Sequence, residues 1–184
     1  MSTQSGNKKY TTEVMQSFLA NAITDISTYI QMSDTKVSII MGALVALIAG
    51  ALACYTPIAD AISKITPCSW LGVTTILTLV ALAFCVCGIF VFGILTIRGH
   101  VSMVGYESKW FWVKPTSKYS FEAYKDDLFD MTDSDVVENM AAELYKLNDI
   151  NRQKAGTCKW TIRFFAATLI LAGFSVALLL VAGK

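Results

Sequence analysis

The side chains best suited to chemistry crowd one stretch of this chain and are scattered thinly elsewhere. Asp126, Asp127, Asp130, Asp133 and Asp135 fall within ten residues, a density that invites a metal or an acid/base pair. An EF-hand calcium loop needs alternating acids, a central glycine for its sharp turn and a bidentate Glu at its end, and the run from Asp126 to Glu138 contains no glycine. These acids are read instead as a solvated loop and a helix start, with Asp135 and Glu138 at capping-box spacing. The five cysteines, Cys54, Cys68, Cys85, Cys87 and Cys158, lack metal-ligand spacing. Cys85 and Cys87 read as small packing residues, while Cys54 and Cys68 flank a short connection and could meet in an oxidising compartment. His100 stands alone, and neither a glycine-rich phosphate loop nor a nucleophile elbow occurs. The expectation is a protein without catalytic residues, metal or cofactor.

What must position these side chains is a frame of three apolar stretches: Val37 to Tyr55, Leu71 to Ile97, and Thr161 to Ala182. None carries an acid, and Arg163, just inside the third, is their only base. About 20 apolar residues at ~1.5 Å rise cover a bilayer core of ~30 Å, so all three are predicted to be transmembrane helices. A hydrophobic content of 54% and a mean hydropathy of +0.52 over 184 residues agree with burial by lipid. Lys8 and Lys9 precede a polar stretch, not a short apolar one, so the first span is expected to be retained and not cleaved as a signal peptide. The predicted fold class is an all-α membrane protein. It divides into a cytoplasmic amphipathic helix (1–36), a transmembrane hairpin (37–97), a cytoplasmic segment with a helix (98–160) and a third span (161–184).

Lys and Arg in the connections set the orientation. Residues 1–36 hold Lys8, Lys9 and Lys36, and the stretch from Arg98 to Trp160 holds nine bases, against Lys64 alone in the short connection and Lys184 at the far end. The N-terminus and the long middle segment are therefore expected in the cytoplasm, and the C-terminus in the periplasm. The middle segment nearly balances its nine bases with ten acids, and the net charge is +1. Such alternating charge offers no concentrated basic face, which argues against a nucleic-acid polymer as partner.

In the first span Gly42, Ala46, Gly50 and Cys54 recur every four residues on one face, and Gly173 and Ala177 repeat the spacing in the third. Small residues let backbones approach closely in lipid. Packing within one bundle and packing between copies in a homo-oligomer both satisfy that pattern. Before the first span, Val14, Phe18, Ala22, Ile26 and Ile30 form an amphipathic stripe widened by Leu19, Ile23 and Tyr29. Val137, Met140, Leu144 and Leu147 form another. No proline follows Pro115, so this second helix is expected to continue past Gly156 into the third span, with Gly156 a natural place for a bend. The two stripes are expected to cover one another in a cytoplasmic bundle, since each large apolar side chain buried is worth about 1.5–3 kcal/mol. Between them, Lys109 and Lys114 bracket Trp110, Phe111 and Trp112. That cluster suits either a segment lying in the headgroups or a pocket in which a base stacks on a ring. An acid as near the apolar zone as Asp34 needs a partner, and Lys36 or Arg163 could supply it as an ion pair.

Several elements in order resemble a known family. They are Tyr29-Ile30-Gln31-Met32-Ser33-Asp34-Thr35-Lys36 leading into the first span, a second span, the Lys114-Pro115 turn, and Ser120-Phe121-Glu122-Ala123-Tyr124. A helix containing Glu143-Leu144-Tyr145-Lys146-Leu147-Asn148-Asp149-Ile150 then passes Lys154 into the third span. Together, over most of residues 25–182, they look like the transmembrane effectors of bacterial pyrimidine-cyclase anti-phage systems. The resemblance implies a partner cyclase that senses infection and makes cyclic CMP or cyclic UMP, and an effector that then impairs the inner membrane and aborts the infection. On that footing Lys36, Arg152, Lys154 and Lys159 become candidates for the cyclic phosphate, and Tyr119 or Tyr124 for stacking the base. Two other classes stay open. A constitutive small channel or transporter would have Thr74, Thr75, Thr78 and Thr168 to line a pathway. A non-catalytic scaffold would leave membrane potential untouched.

Overall fold

The computed structural model describes residues 10–67, 69–98 and 120–182, and every regular element among them is a helix. In chain order these are α1 (Thr12–Ala53), α2 (Tyr55–Ser63), α3 (Trp70–Ile97), α4 (Phe121–Phe129) and α5 (Asp133–Ala182). Helices α1, α3 and α5 are each long and apolar enough to cross a membrane, and the three apolar stretches of the sequence lie largely within them. The chain is an all-helical membrane protein. With 42 and 50 residues, α1 and α5 are ~63 and ~75 Å long, about twice a bilayer core or more. The amphipathic N-terminal stretch is thus one helix with the first span, and α5 passes through Gly156 without interruption.

Local chemistry explains where these helices begin and end. Ser69 caps α3 by accepting a hydrogen bond from the Gly72 amide at 3.0 Å, and Ser120 caps α4 by accepting from Ala123 at 3.2 Å. The capping box of α5 lies one step earlier than the sequence suggests. Thr132 Oγ1 accepts from the Asp135 amide at 3.3 Å, and Asp135 Oδ2 accepts from the Thr132 amide at 2.9 Å, in place of an Asp135–Glu138 box. The short connection after the first span is not a bare turn but holds α2, whose Pro57 occupies the first turn, where no backbone donor is needed. At Gly72 an added Cβ would press on the Thr66 and Pro67 carbonyls, so only glycine lets α3 start so close to that turn.

Two compact units divide the described residues: those up to Ile30 with 120–152, and those from Gln31 to Arg98 with Gln153 onward. In the first, Leu19 and Met140 are buried, and Ile23, Ile26, Ile30, Leu144 and Leu147 are half-buried. Phe18, expected inside, is 64% exposed, because the covered stripe of α1 is centred on Leu19, Ile23, Ile26 and Ile30. Asn139 and Glu143 are more deeply buried than the leucines beside them.

In the second unit Ile40, Leu44 and Ile89 form a core with Met41, Val86, Phe164 and Phe165 packed against it. The close approaches are made by glycines of α3. A Cβ on Gly88 would meet the Phe164 ring at 2.8 Å, and one on Gly93 would meet Met41 Sδ at 3.2 Å. In lipid, where no water is excluded, such backbone proximity is what draws helices together. Gly42, Gly50 and Gly173 have open space where a Cβ would stand, and Ala46 and Ala177 are exposed. The small-residue rows of the first and third spans therefore do not pack tightly against other described residues. From Val45 to Ala53 every residue of α1 is exposed.

Candidate functional site

Helices α3 and α5 run antiparallel, as their contacts show: Phe84 meets Phe164 at 6.0 Å between centroids, Phe92 meets Phe164 at 5.6 Å and Trp160 at 6.1 Å, and Thr96 bonds Thr157. Along this seam Thr75, Thr78, Thr96, Thr161, Thr168 and Ser175 are buried. The hydroxyls of Thr75, Thr78, Thr161, Thr168 and Ser175 each donate to the carbonyl one turn back in their own helix. Of the residues a pathway would need, Thr75, Thr78 and Thr168 are thus buried and bonded to their own backbone, while Thr74 is half-buried.

Where the seam reaches its charged end, α1 and α5 are joined by an ion pair. Lys154 Nζ donates to both carboxylate oxygens of Asp34, at 2.6 and 2.7 Å, across 120 residues of sequence. One turn further along α5, the Thr96 and Thr157 hydroxyl oxygens hydrogen-bond at 2.8 Å, tying in α3. The Lys154 side chain is only 10% exposed and the Asp34 side chain 38%, so solvent reaches the pair from the acid's side. Cys158, just ahead of the third apolar stretch, is buried. Its thiol pKa is pushed up chiefly by that burial, against a lowering by Lys36 and with a small further rise from Asp34.

Asp34 therefore has its partner, but neither of those the sequence suggested. Lys36 is exposed, and Arg163 lies with its guanidinium carbon 4.9 Å from the centre of the Trp160 ring, a cation–π contact one turn beyond Thr157 and Cys158. Of the phosphate candidates, Lys154 has its ammonium committed to Asp34, while Lys159 is exposed. Arg152 belongs to the other unit, where it pairs with Asp149 at 2.9 Å. Tyr124 is half-buried in that same unit, and Tyr119 lies outside the described residues. So do Cys68, His100 and the Lys109–Lys114 aromatic cluster.

Sequence reasoning missed one feature altogether, the buried polar face of α5 in the first unit. Asn139, Glu143 and Lys146 lie at spacings of four and three on one side of the helix, with Asn139 4% and Glu143 7% exposed. The signal was present as a polar stripe alongside the apolar one.

A family model described as the Pycsar effector protein domain, PycTM, matches residues 18–182. The match takes in α1 from its second turn, the ion pair, the α3–α5 seam and all of α5. No curated protein and no solved structure matches the chain.

Proposed function

We propose, from the premise that the chain belongs to the Pycsar effector family of anti-phage proteins, that cyclic CMP or cyclic UMP from a partner cyclase switches it from a resting to a membrane-impairing state. It acts in the inner membrane of the infected bacterium, N-terminus inside, and aborts the infection without catalysing a reaction. The observation that carries this reading is the Asp34–Lys154 pair, which fastens the first spanning helix to the third at their polar end. A buried ion pair adds little net stability over an apolar contact, and its best-attested use is to hold one arrangement against another. Here it holds the resting arrangement of α1 against α5. A ligand shifts such an equilibrium only by binding one state better than the other.

Opening the pair releases α1, whose outer half, from Val45 to Ala53, is already exposed among the described residues. Gly42, Ala46 and Gly50 then serve association between copies, giving a homo-oligomer in the damaging state. A constitutive channel has less support, because the hydroxyls at Thr75, Thr78 and Thr168 are buried and bonded to their own helices.

The test is membrane potential in bacteria expressing the protein with an active or an inactive pyrimidine cyclase. Depolarisation only with the active enzyme supports the reading. An unchanged potential with both nucleotides, at verified expression, rejects it in favour of a scaffold.

A further inference from the structure

A buried carboxylate oxygen normally accepts at least one hydrogen bond, and one left without a donor destabilises the fold. Glu143 Oε2 is such an atom: it is buried and accepts no hydrogen bond among the described residues. The ammonium of Lys146, one turn on, stands 3.9 Å from it, beyond hydrogen-bonding distance. Both side chains are largely enclosed, Glu143 at 9% and Lys146 at 16% exposure, beside the buried Asn139 and Met140. Leucine or alanine at 143 would serve a helix packing face better, so a charge there needs a reason.

An acceptor beside a donor, facing the interior of one unit, complements a planar ligand edge on which a donor adjoins an acceptor. Cytosine offers its exocyclic amine next to ring nitrogen N3, and uracil offers N3–H next to a carbonyl. We infer that Glu143 and Lys146 are the recognition edge for the pyrimidine base of the activating nucleotide, Glu143 accepting the base's N–H and Lys146 donating to the adjacent acceptor. This rests on the reading that a cyclic pyrimidine nucleotide activates the protein. It also supplies what that reading requires. In the resting state Glu143 Oε2 has an ion-pair contact but no hydrogen bond, and the bound state supplies one, so the ligand gains differential affinity for the bound state. Carboxylate recognition of an exocyclic amine is chemically ordinary, as with Glu accepting from cytosine in nucleic-acid readout.

The experiment is titration calorimetry of cyclic CMP and cyclic UMP into the full-length protein in nanodiscs, as wild type, Glu143→Gln and Glu143→Leu. Thermal midpoints are recorded without nucleotide. Glu143→Leu removes the acceptor, and losing a hydrogen bond to a charged group weakens binding about tenfold or more; Glu143→Gln keeps a neutral acceptor and should lose less, while neither variant should lower the midpoint. Wild-type affinity in Glu143→Leu overturns the assignment and leaves the activation reading standing. So does a loss of binding that merely follows a lowered midpoint in both variants, which would make Glu143 a structural residue. Wild-type protein that binds neither nucleotide overturns direct sensing, and this site with it. A cyclic CMP carrying two methyl groups on its amine separates the base contact from the rest. It should bind wild type about as weakly as cyclic CMP binds Glu143→Leu, and lose little more in that variant.

Discussion

Asp34→Asn keeps the shape of the acid and removes its charge, leaving the Lys154 ammonium enclosed beside a neutral amide. For a fully buried pair the loss of one partner costs about 3–5 kcal/mol. Asp34 is 38% exposed, however, and water reaching the pair brings the value toward the ~1.5–3 kcal/mol of a single charged hydrogen bond. About 2 kcal/mol corresponds to a factor of ~30 in the balance between closed and open arrangements. If the open state holds ~0.1% of the resting protein, Asp34→Asn raises it to ~3%. The expected phenotype is partial depolarisation with no cyclase present, and a nucleotide dose–response moved to lower concentration by up to the same factor. A potential-sensitive dye reads both at matched membrane abundance. Lys154→Met should act in the same direction, and the double variant should add little to either single one. If Asp34→Asn matches wild type in basal potential and dose–response, the pair is not what holds the resting state. A loss of activity that only tracks lost protein would refute the idea equally.

Glycine substitutions separate packing inside the chain from packing between chains. Gly88→Leu drives side-chain atoms into the Phe164 ring and should destabilise the protein by about 1–3 kcal/mol, seen as a lowered midpoint in detergent. Gly50→Leu meets open space, so it should leave that midpoint alone and reduce nucleotide-dependent crosslinking between copies. Thr96→Val leaves the partly buried Thr157 hydroxyl without its partner on α3 and should cost about 1 kcal/mol, with Thr157→Val in the same chain recovering part of it. Thr132→Ala removes one side of the α5 capping box and should cost ~1 kcal/mol, with faster amide exchange confined to the first turn of α5.

Length and hydropathy made the three spans legible, because lipid imposes its thickness on any helix that crosses it. The continuity of α5 was legible because no proline follows Pro115, whereas the junction of the N-terminal stripe with the first span at 36–37 was read as a boundary and is instead the middle of α1. Helix α2 was hidden by its shortness, since nine residues hold too few turns for periodicity to speak. The partner of Asp34 was hidden by distance in sequence. Nearby Lys36 and the span's own Arg163 were the bases a local reading could see, whereas Lys154 meets Asp34 only after three intervening helices, α2, α3 and α4. The glycines misled in the opposite way. The spacing of Gly42, Ala46 and Gly50 announces a face but not its occupant, while Gly88 and Gly93 make the actual contacts without any regular row. Glu143 was passed over because a charge within an amphipathic helix is ordinarily solvated, and only its burial set it apart.

The 120 residues between the two ends of the ion pair have a consequence for biogenesis. Ribosomes finish Asp34 long before Lys154, so α1 and α3 enter the bilayer while the acid still has no base of its own. The newborn hairpin carries an unneutralised carboxylate at its polar end until α5 arrives as both last span and counter-ion. Insertion of the third span is thereby also the step that closes the ion pair. A chain cut short before Lys154 therefore lacks the contact that ties α1 to α5.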